Sequence, residues 1–239
     1  MTKKNRNSDI FKIKTLGIPT IESPLNLSSK YGDKIVNYVD DDERIVYFSE
    51  LKQLKKYRTI DNIPNLEKAG PRKKLYFNPS QIKCAIVTCG GLAPGLNDVI
   101  RALVMELYWI YGVKSILGIR FGYRGFIAKY NYSPLELTPE RVSDIHTLGG
   151  TILGSSRGRQ DEKEIVDFLI RNNVSILFCI GGDGTLRGAH AIATEINRRK
   201  LKIGVVGIPK TIDNDIGYMD KTFGFETAFS RAAEAIKSA

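Results

Sequence analysis

From Lys83 onward, short unbroken apolar runs alternate with segments of helical spacing, and this alternation restricts the fold more than any other feature of the chain. Strands are predicted at 84–88, 115–119, 175–180 and 203–208, and helices at 97–111, 161–172, 186–199 and from about 225. Apolar strands separated by helices are typical of a parallel sheet buried on both faces, with right-handed crossovers. The predicted fold is therefore an open, mainly parallel α/β sheet with helices on both faces.

Residues 1–82 differ in composition from the rest of the chain, because they are rich in Lys, Asn, Asp and Ser and are interrupted by prolines. A short strand is predicted at 44–48. We interpret residues 1–82 as an irregular, basic N-terminal extension and residues 83–239 as the α/β domain.

The formal net charge of +10 lies mainly in the N-terminal part, since residues 1–83 carry +7 and residues 84–239 carry +3. No aromatic-basic platform and no groove-reading helix pattern accompanies this charge. It indicates a solvated surface that attracts anionic ligands, and no nucleic acid partner is expected.

The cysteines and histidines give no metal-ligand spacing. Cys84, Cys89 and Cys179 lie in or at the end of apolar runs without a CxxC pattern, which predicts buried free thiols in a reducing compartment. His146 and His190 show no ligand spacing with them, which argues against a zinc site. Neither a signal core nor an 18-residue apolar run is present, so no membrane partner and a cytoplasmic location are expected.

Glycine-rich loops follow three of the predicted strands, at 90–95, 122–125 and 181–185, and a fourth spans 149–158. Ligands of open α/β sheets bind outside the carboxyl ends of the strands, so these loops are expected to share one site. Glycines at a strand-to-helix turn let backbone amides approach a phosphate. A tight turn without a ligand is the alternative for the 90–95 loop taken alone.

Residues 181–185 combine an accessible backbone with a carboxylate and a hydroxyl ahead of a helix. Asp183 is suited to holding Mg²⁺ between phosphate oxygens, and Gly184 leaves room for a bulky phosphoryl donor. The alternative is a simple capped helix start. Because a second acidic loop follows about thirty residues later, we favour the phosphate site.

That second loop, 209–215, carries two carboxylates two residues apart, Asp213 and Asp215. One of them is placed to accept the proton of an attacking hydroxyl, while the other supports it or the metal. Thr211 and Lys210 offer a donor and a positive charge to the transferring group. A solvated, Asx-rich turn is the competing interpretation.

Two further side chains are candidates for contacts with a nucleotide. Arg157 is a candidate phosphate ligand because a guanidinium matches phosphate oxygens, and Arg159 either shares that role or is solvated. Tyr123 is a candidate for stacking on a base or sugar, with ordinary packing as the alternative.

The four motifs 90–97, 149–155, 181–185 and 209–215 occur in an order that resembles the 6-phosphofructokinases over residues 83–239. The long N-terminal extension and Lys210 resemble the ATP-dependent branch found in plants, kinetoplastids and some bacteria, which is close to the pyrophosphate-dependent enzymes.

The resemblance implies Mg²⁺-dependent transfer of the γ-phosphoryl of ATP to the 1-hydroxyl of fructose 6-phosphate in glycolysis, by a cytoplasmic, allosteric homo-oligomer that is a tetramer or dimer. It places Asp183 at the Mg²⁺ position and Asp213 at the catalytic base, with Lys210 and Gly184 also in the catalytic set. The matched nucleotide positions are Gly91, Tyr123, Arg157, Gly158, Gly182, Asp183, Gly184 and Thr185. The substrate positions are Thr211, Ile212, Asp213 and Asp215.

Two positions bear on the phosphoryl donor and one on regulation. Gly184 stands where pyrophosphate-dependent relatives carry Asp, which favours ATP, whereas Lys210 is the residue that pyrophosphate users carry. Arg101 matches the first arginine of a bacterial ADP effector site, but Met105 replaces the second, so that mode of regulation is not expected.

Members of the family are much longer, so we expect an incomplete copy that holds most of the nucleotide half and is nearly inactive alone. Three alternatives stay open at this stage. One is a pyrophosphate-dependent phosphofructokinase and another is a non-catalytic nucleotide-binding or regulatory copy. The third is an NAD or lipid kinase, which shares the 181–185 motif but is not expected to carry the 209–215 motif.

Overall fold

The computed structural model describes residues 11–48 and 50–238, which form two compact units with a boundary between Phe77 and Asn78. The first unit holds two small antiparallel sheets. Its elements are β1 (Ile21–Glu22), β2 (Arg44–Val46), α1 (Leu51–Leu54), β3 (Asn65–Glu67) and β4 (Lys74–Leu75). Strand β1 pairs with β4 and β2 pairs with β3. The strand predicted at 44–48 is thus present but shorter.

The second unit is built on one five-stranded sheet. Its elements are β5 (Lys83–Cys89), α2 (Leu96–Met105), β6 (Ser115–Ile119), β7 (Leu135–Glu136), α3 (Pro139–Val142), α4 (Glu162–Arg171), β8 (Val174–Gly181), α5 (Asp183–Arg198), β9 (Gly204–Pro209) and α6 (Phe225–Ser238). The strand order is β7-β6-β5-β8-β9, with β6, β5, β8 and β9 parallel and β7 antiparallel. This confirms the predicted open, mainly parallel α/β sheet.

The sheet is buried on both faces because successive side chains of a strand point to opposite sides. Ala85 and Val87 of β5 belong to the apolar cluster that contains the inner faces of α4 and α5. Cys84 and Ile86 belong to the opposite cluster, with α2 and α3. All three cysteines are free and buried, as their positions in apolar runs predict.

Two helix boundaries differ from the sequence-based prediction by more than one residue. Helix α2 ends at Met105, and residues Glu106–Ile110 continue it as a π-helical turn. Helix α5 begins at Asp183, three residues earlier than predicted, because Gly182 is extended and its carbonyl already accepts the amide of Leu186 at 3.0 Å. The residues predicted to form a loop before the helix are therefore its first turn.

The β9 side of the unit exposes apolar surface. Val206 in β9 is 43% exposed, and no described residue of α6 is buried. Phe229 and Ile236 lie seven residues apart on α6, which places them on one face, and both are exposed. None of the helices in residues 11–48 and 50–238 has the length and apolar character that crossing a membrane requires.

An ion-pair network joins α4 to α5, which pack on the same face of the sheet. Glu195 has a side chain only 7% exposed, and it accepts hydrogen bonds at 2.7 Å from both Arg198 and Arg199. Arg199 also pairs with Asp167 of α4. These two guanidinium groups lower the pKa of Glu195 to about 2.

Replacing Glu195 with glutamine is expected to make the stability of the fold depend less on pH between about 4.5 and about 2. A depressed carboxyl pKa contributes stability that is present above the unfolded value near 4.5 and is lost as the pH falls toward about 2. The measurement is the thermal midpoint as a function of pH across this window. Glu234→Gln removes an exposed ion pair on α6 and serves as the control. Parallel acid limbs for wild type and Glu195→Gln would contradict the assignment.

Candidate active site

A cavity of about 660 Å³ lies at the carboxyl edge of β5 and β8. Nine of the residues predicted from sequence line it: Gly91, Tyr123, Arg157, Gly158, Gly182, Asp183, Gly184, Thr185 and Lys210. They come from the turn after β5, the turn after β6, the 149–158 loop, the start of α5 and the end of β9. The shared site expected from the glycine-rich loops is thus a single cavity in the structure.

The start of α5 presents backbone donors to this cavity. Its N-cap residue, Gly182, supplies no side-chain hydrogen bond, so the first-turn amides have no side-chain cap. The N-terminus of a helix also carries the positive end of its dipole. Together these features suit an anion such as a phosphate.

The turn after β5 is tied to the 149–158 loop, and both segments line the cavity. The amide of Gly90 donates to the carbonyl of Ser156 at 3.0 Å, and the hydroxyl of Ser155 donates to the carbonyl of Gly90 at 2.6 Å. Gly90 has φ of +85°, a left-handed conformation that glycine adopts without strain. This bracing brings the loop that carries Arg157 against the turn that carries Gly91.

Two cationic side chains flank Gly91. A Cβ placed on Gly91 would lie 3.8 Å from both Arg157 Nη2 and Lys210 Nζ. The absence of a side chain at this position therefore leaves space next to two positive charges. That combination fits the terminal phosphates of a polyphosphate ligand.

Lys210 is buried, with 6% of its surface exposed, and its amide donates to the carbonyl of Gly181 at 3.0 Å. Burial lowers its pKa, and the nearby Arg157 lowers it further, whereas the charges of Asp213 and Asp215 act in the opposite direction. A buried cation next to acidic groups and a guanidinium gains from an anionic ligand that replaces lost solvation.

Asp183 is a carboxylate at the end of the cavity that holds Gly91, Arg157, Lys210 and the start of α5, which we call the phosphate end. Its side chain is 80% exposed and lies 3.6 Å from Arg187, one turn further along α5. No group of three or more metal-ligating side chains occurs within residues 11–48 and 50–238. An exposed carboxylate beside the uncapped amides of α5 fits Mg²⁺ that would be shared with phosphate oxygens of a ligand and with water, a common arrangement for this ion.

Tyr123 lines the cavity but is 7% exposed, because its ring packs against α5. Its hydroxyl donates to the carbonyl of Thr185 at 2.7 Å. Gly188 makes room for the ring, since a Cβ there would lie 2.5 Å from a ring carbon. Tyr123 thus packs on the first turns of α5, which agrees with the packing alternative rather than with stacking on a nucleotide.

Replacing Tyr123 with phenylalanine is expected to lower the free energy of unfolding by about 1 kcal/mol, the typical contribution of one hydrogen bond. Urea unfolding measures this change. Tyr130→Phe is a matched control, since the Tyr130 hydroxyl makes no hydrogen bond within the described part of the chain. Unchanged stability together with a tenfold loss of nucleotide affinity would instead place the hydroxyl on the ligand.

The predicted substrate residues Thr211, Ile212, Asp213 and Asp215 do not line the cavity but follow directly after Lys210. The hydroxyl of Thr211 donates to Asp215 and accepts the amide of Asp213 at 3.1 Å. Ile212, Asp213 and Asp215 are exposed. The loop therefore presents its carboxylates beside the phosphate end of the cavity rather than inside it.

Asn214 fastens this loop to the chain that follows. It has φ of +53°, and its side-chain oxygen accepts the amide of Thr222 at 2.8 Å. Thr222 is 3% exposed. This bond spans eight residues, so it is not an Asx-turn, in which the side chain accepts the amide two residues further on. The bond of that short span in this loop is the one from the amide of Asp213 to the Thr211 hydroxyl, and Asp213 itself is exposed.

Several residues of the cavity were missed by sequence reasoning. They are Cys89, Ser156, Gln160, Glu162, Ile165, Arg187, Gly188, Ala191 and Ile192. The members on α5 follow Asp183 at helical spacing, since Arg187 and Ala191 lie at four and eight residues from it. An earlier predicted start of α5 would have placed them on the same face.

Comparison with known proteins identifies one family for this chain. The family model for phosphofructokinase matches residues 83–239. The ATP-dependent 6-phosphofructokinase of Borreliella burgdorferi is 48% identical over 236 residues, covering 99% of this chain and 52% of that protein. The enzyme of the same name from Entamoeba histolytica is 58% identical over 173 residues, covering 72% of this chain and 39% of that protein. The chain thus spans about half, or less, of the length of these curated relatives.

Solved structures show the same architecture. The phosphofructokinase of Saccharomyces cerevisiae superimposes with a TM-score of 0.56 at 26% sequence identity, covering 66% of this chain and 24% of that chain. The family match spans most of the chain and includes every residue that lines the cavity. The chain belongs to the phosphofructokinase family.

Proposed function

We propose that this chain supplies the nucleotide site and the catalytic base for Mg²⁺-dependent transfer of the γ-phosphoryl of ATP to the 1-hydroxyl of fructose 6-phosphate. The products are fructose 1,6-bisphosphate and ADP, and the reaction belongs to glycolysis. One observation carries the proposal: the uncapped amides of α5, Asp183 and the cations Arg157 and Lys210 meet at one end of one cavity. The names of the relatives, ATP-dependent 6-phosphofructokinases, support the same reaction.

On the donor side, the proposed roles follow from position. The amides at the start of α5, with Gly182 and Thr185, bind the terminal phosphates together with Arg157 and Lys210. Asp183 holds the Mg²⁺, which neutralises charge on the β- and γ-phosphates when it is bound. Gly91, Gly158 and Tyr123 shape the walls of the nucleotide site.

On the acceptor side, Asp213 is proposed as the base. Its carboxylate accepts the proton of the sugar 1-hydroxyl as that oxygen bonds to the γ-phosphorus, and the bond between the γ-phosphorus and the β–γ bridging oxygen breaks to release ADP. Lys210 is next to both reactants and stabilises the charge in transfer. Thr211, Ile212 and Asp215 are proposed to contact the sugar.

Gly184 is the basis for proposing ATP rather than pyrophosphate as the donor. A Cβ placed on Gly184 would meet no atom within 4 Å, so the space beside it is open to the rest of a nucleotide. The buried Lys210 is compatible with the alternative, a pyrophosphate-dependent enzyme, because a cation at the phosphate end serves that donor equally well.

The proposal extends to the organisation of the protein. Residues 1–82 are proposed to be an N-terminal extension and residues 83–239 the nucleotide-binding domain. A homo-oligomeric assembly, a dimer or a tetramer, is proposed from the resemblance. A cytoplasmic location is proposed because buried free thiols are typical of a reducing compartment.

Calorimetry on this chain tests the proposal, with MgATP and Mg-pyrophosphate titrated into wild type and Asp183→Ala. We expect selective MgATP binding that weakens at least about tenfold in the variant, since a charged metal contact is lost. Asp98→Ala, an exposed aspartate in the first turn of α2 outside the cavity, is the matched control. Wild-type chain that binds neither donor would overturn the proposal, and preferential binding of pyrophosphate would favour the alternative.

A further inference from the structure

Arg187 is a cavity residue to which neither the sequence motifs nor the proposed mechanism gives a role. It lies on α5 four residues after Asp183, so the two side chains share a face of the helix and both line the cavity. At 1.5 Å per residue, its backbone is about 6 Å further from the Gly182 turn than that of Asp183. Arg187 therefore stands beyond the phosphate end.

The side chains that line the cavity are cationic beside Gly91 and become smaller and more apolar further along α5. Arg157 and Lys210 lie beside Gly91 at the phosphate end. Gly188, Ala191, Ile192 and Ile165 form a small, apolar part of the lining, here called the apolar end, with Glu162 one turn before Ile165 on α4. A ligand that extends from the phosphate end to the apolar end has to pass the guanidinium of Arg187.

The guanidinium is available for a ligand. Its side chain is 82% exposed, and its contact with Asp183, at 3.6 Å, is longer than a hydrogen bond. An exposed ion pair of this kind contributes little stability, so breaking it costs little. By contrast, Arg159, which also lines the cavity, is held by two hydrogen bonds to Glu162, at 3.1 and 3.2 Å.

A metal ion bound at Asp183 would replace the guanidinium of Arg187 as the partner of that carboxylate and leave Arg187 free to contact the ligand. A divalent cation at Asp183 repels the guanidinium from the carboxylate it faces in the free protein. The nearest new partner is an anionic group of the donor about one helical turn beyond the metal. Because the Cβ of a helical residue tilts toward the N-terminus, the long side chain of Arg187 reaches back to that position.

We propose that Arg187 selects the phosphoryl donor by binding the α-phosphate of ATP, the group that pyrophosphate lacks. This inference rests on the proposed function, because it takes the two terminal phosphates to lie at Gly91 and the start of α5. It assigns donor selectivity to a positive contact in addition to the open space at Gly184.

The test compares Arg187→Gln with wild type by calorimetry, using MgATP, Mg-tripolyphosphate and Mg-pyrophosphate. We expect the affinity for MgATP and Mg-tripolyphosphate to fall about tenfold, as for the loss of one charge-assisted hydrogen bond. The affinity for Mg-pyrophosphate should stay within about twofold. Arg231→Gln removes an equally exposed arginine of an ion pair on α6 and should change none of the three.

The outcomes separate the inference from the function on which it rests. An equal fall for all three ligands would show a general attraction of anions and would overturn the inference, as would unchanged or higher affinity for MgATP. If wild type binds MgATP but not Mg-pyrophosphate, lower affinity of Arg187→Gln for MgATP and Mg-tripolyphosphate supports the inference, and unchanged affinity overturns it. Wild type that binds no MgATP overturns the proposed function and this inference together. An unchanged thermal midpoint of Arg187→Gln verifies that the variant is folded.

Discussion

Replacing Gly181 with alanine is expected to lower the free energy of unfolding by about 2–3 kcal/mol, the usual range for overpacking a dense interior. A Cβ on Gly181 would lie 2.2 Å from Thr185 Oγ1 and 2.5 Å from the carbonyl oxygen of Cys89. The second contact is with backbone in the neighbouring strand, so β5 and β8 must separate or the start of α5 must move. The same displacement is expected to abolish MgATP binding.

Urea unfolding and MgATP calorimetry measure the two effects. Gly184→Ala is the matched control, because it adds the same methyl group three residues away, where nothing lies within 4 Å. There the change is expected to stabilise α5 by up to about 1 kcal/mol, since alanine has the higher helix propensity. Equal effects of the two substitutions would show that the packing at Gly181 is not what restricts this position.

Replacing Gly184 with aspartate is expected to weaken MgATP binding by about 10- to 100-fold and to leave Mg-pyrophosphate binding nearly unchanged. The side chain fits the protein because the space beside Gly184 is open, so the effect falls on the ligand. Two like charges about 4 Å apart near a protein surface repel by up to about 4 kcal/mol, and bound cations reduce this value. The expected loss lies within that bound.

Gly184→Asn separates charge from size, because asparagine has nearly the volume of aspartate without its charge. We expect most of the MgATP affinity to return in Gly184→Asn, as measured by calorimetry under the same conditions. If asparagine weakens MgATP as much as aspartate does, the position acts by steric exclusion. If neither variant weakens MgATP, Gly184 has no part in donor choice.

The two glycines illustrate how far the motif in 181–185 can be interpreted without a structure. The motif predicts close approach of backbone to phosphate, and both glycines are part of it. The motif does not show that the two glycines are needed for different physical reasons. Gly181 is required by the packing of β8 against β5 and α5, whereas Gly184 faces open space in the cavity.

Tyr123 shows a similar limit. The sequence placed it in a loop after a strand and left two interpretations open, stacking on a nucleotide or ordinary packing. In the structure its ring is buried against Gly188 and its hydroxyl bonds the carbonyl of Thr185. No local pattern links residues 123 and 185, because their contact depends on how the turn after β6 meets α5.

By itself, the sequence determined the order of the four parallel strands and of helices α2, α4, α5 and α6, together with the glycine-rich loops of the site, but not strand β7 or helix α3. The physical reason is that apolar periodicity and glycine-rich turns act locally and the carboxyl ends of parallel strands share one edge. Only the tertiary structure decided that α5 begins at Asp183, that Lys210 is buried beside Arg157 and that Arg187 faces Asp183. These features depend on distances and solvent exclusion between elements far apart in the chain, which local pattern does not contain.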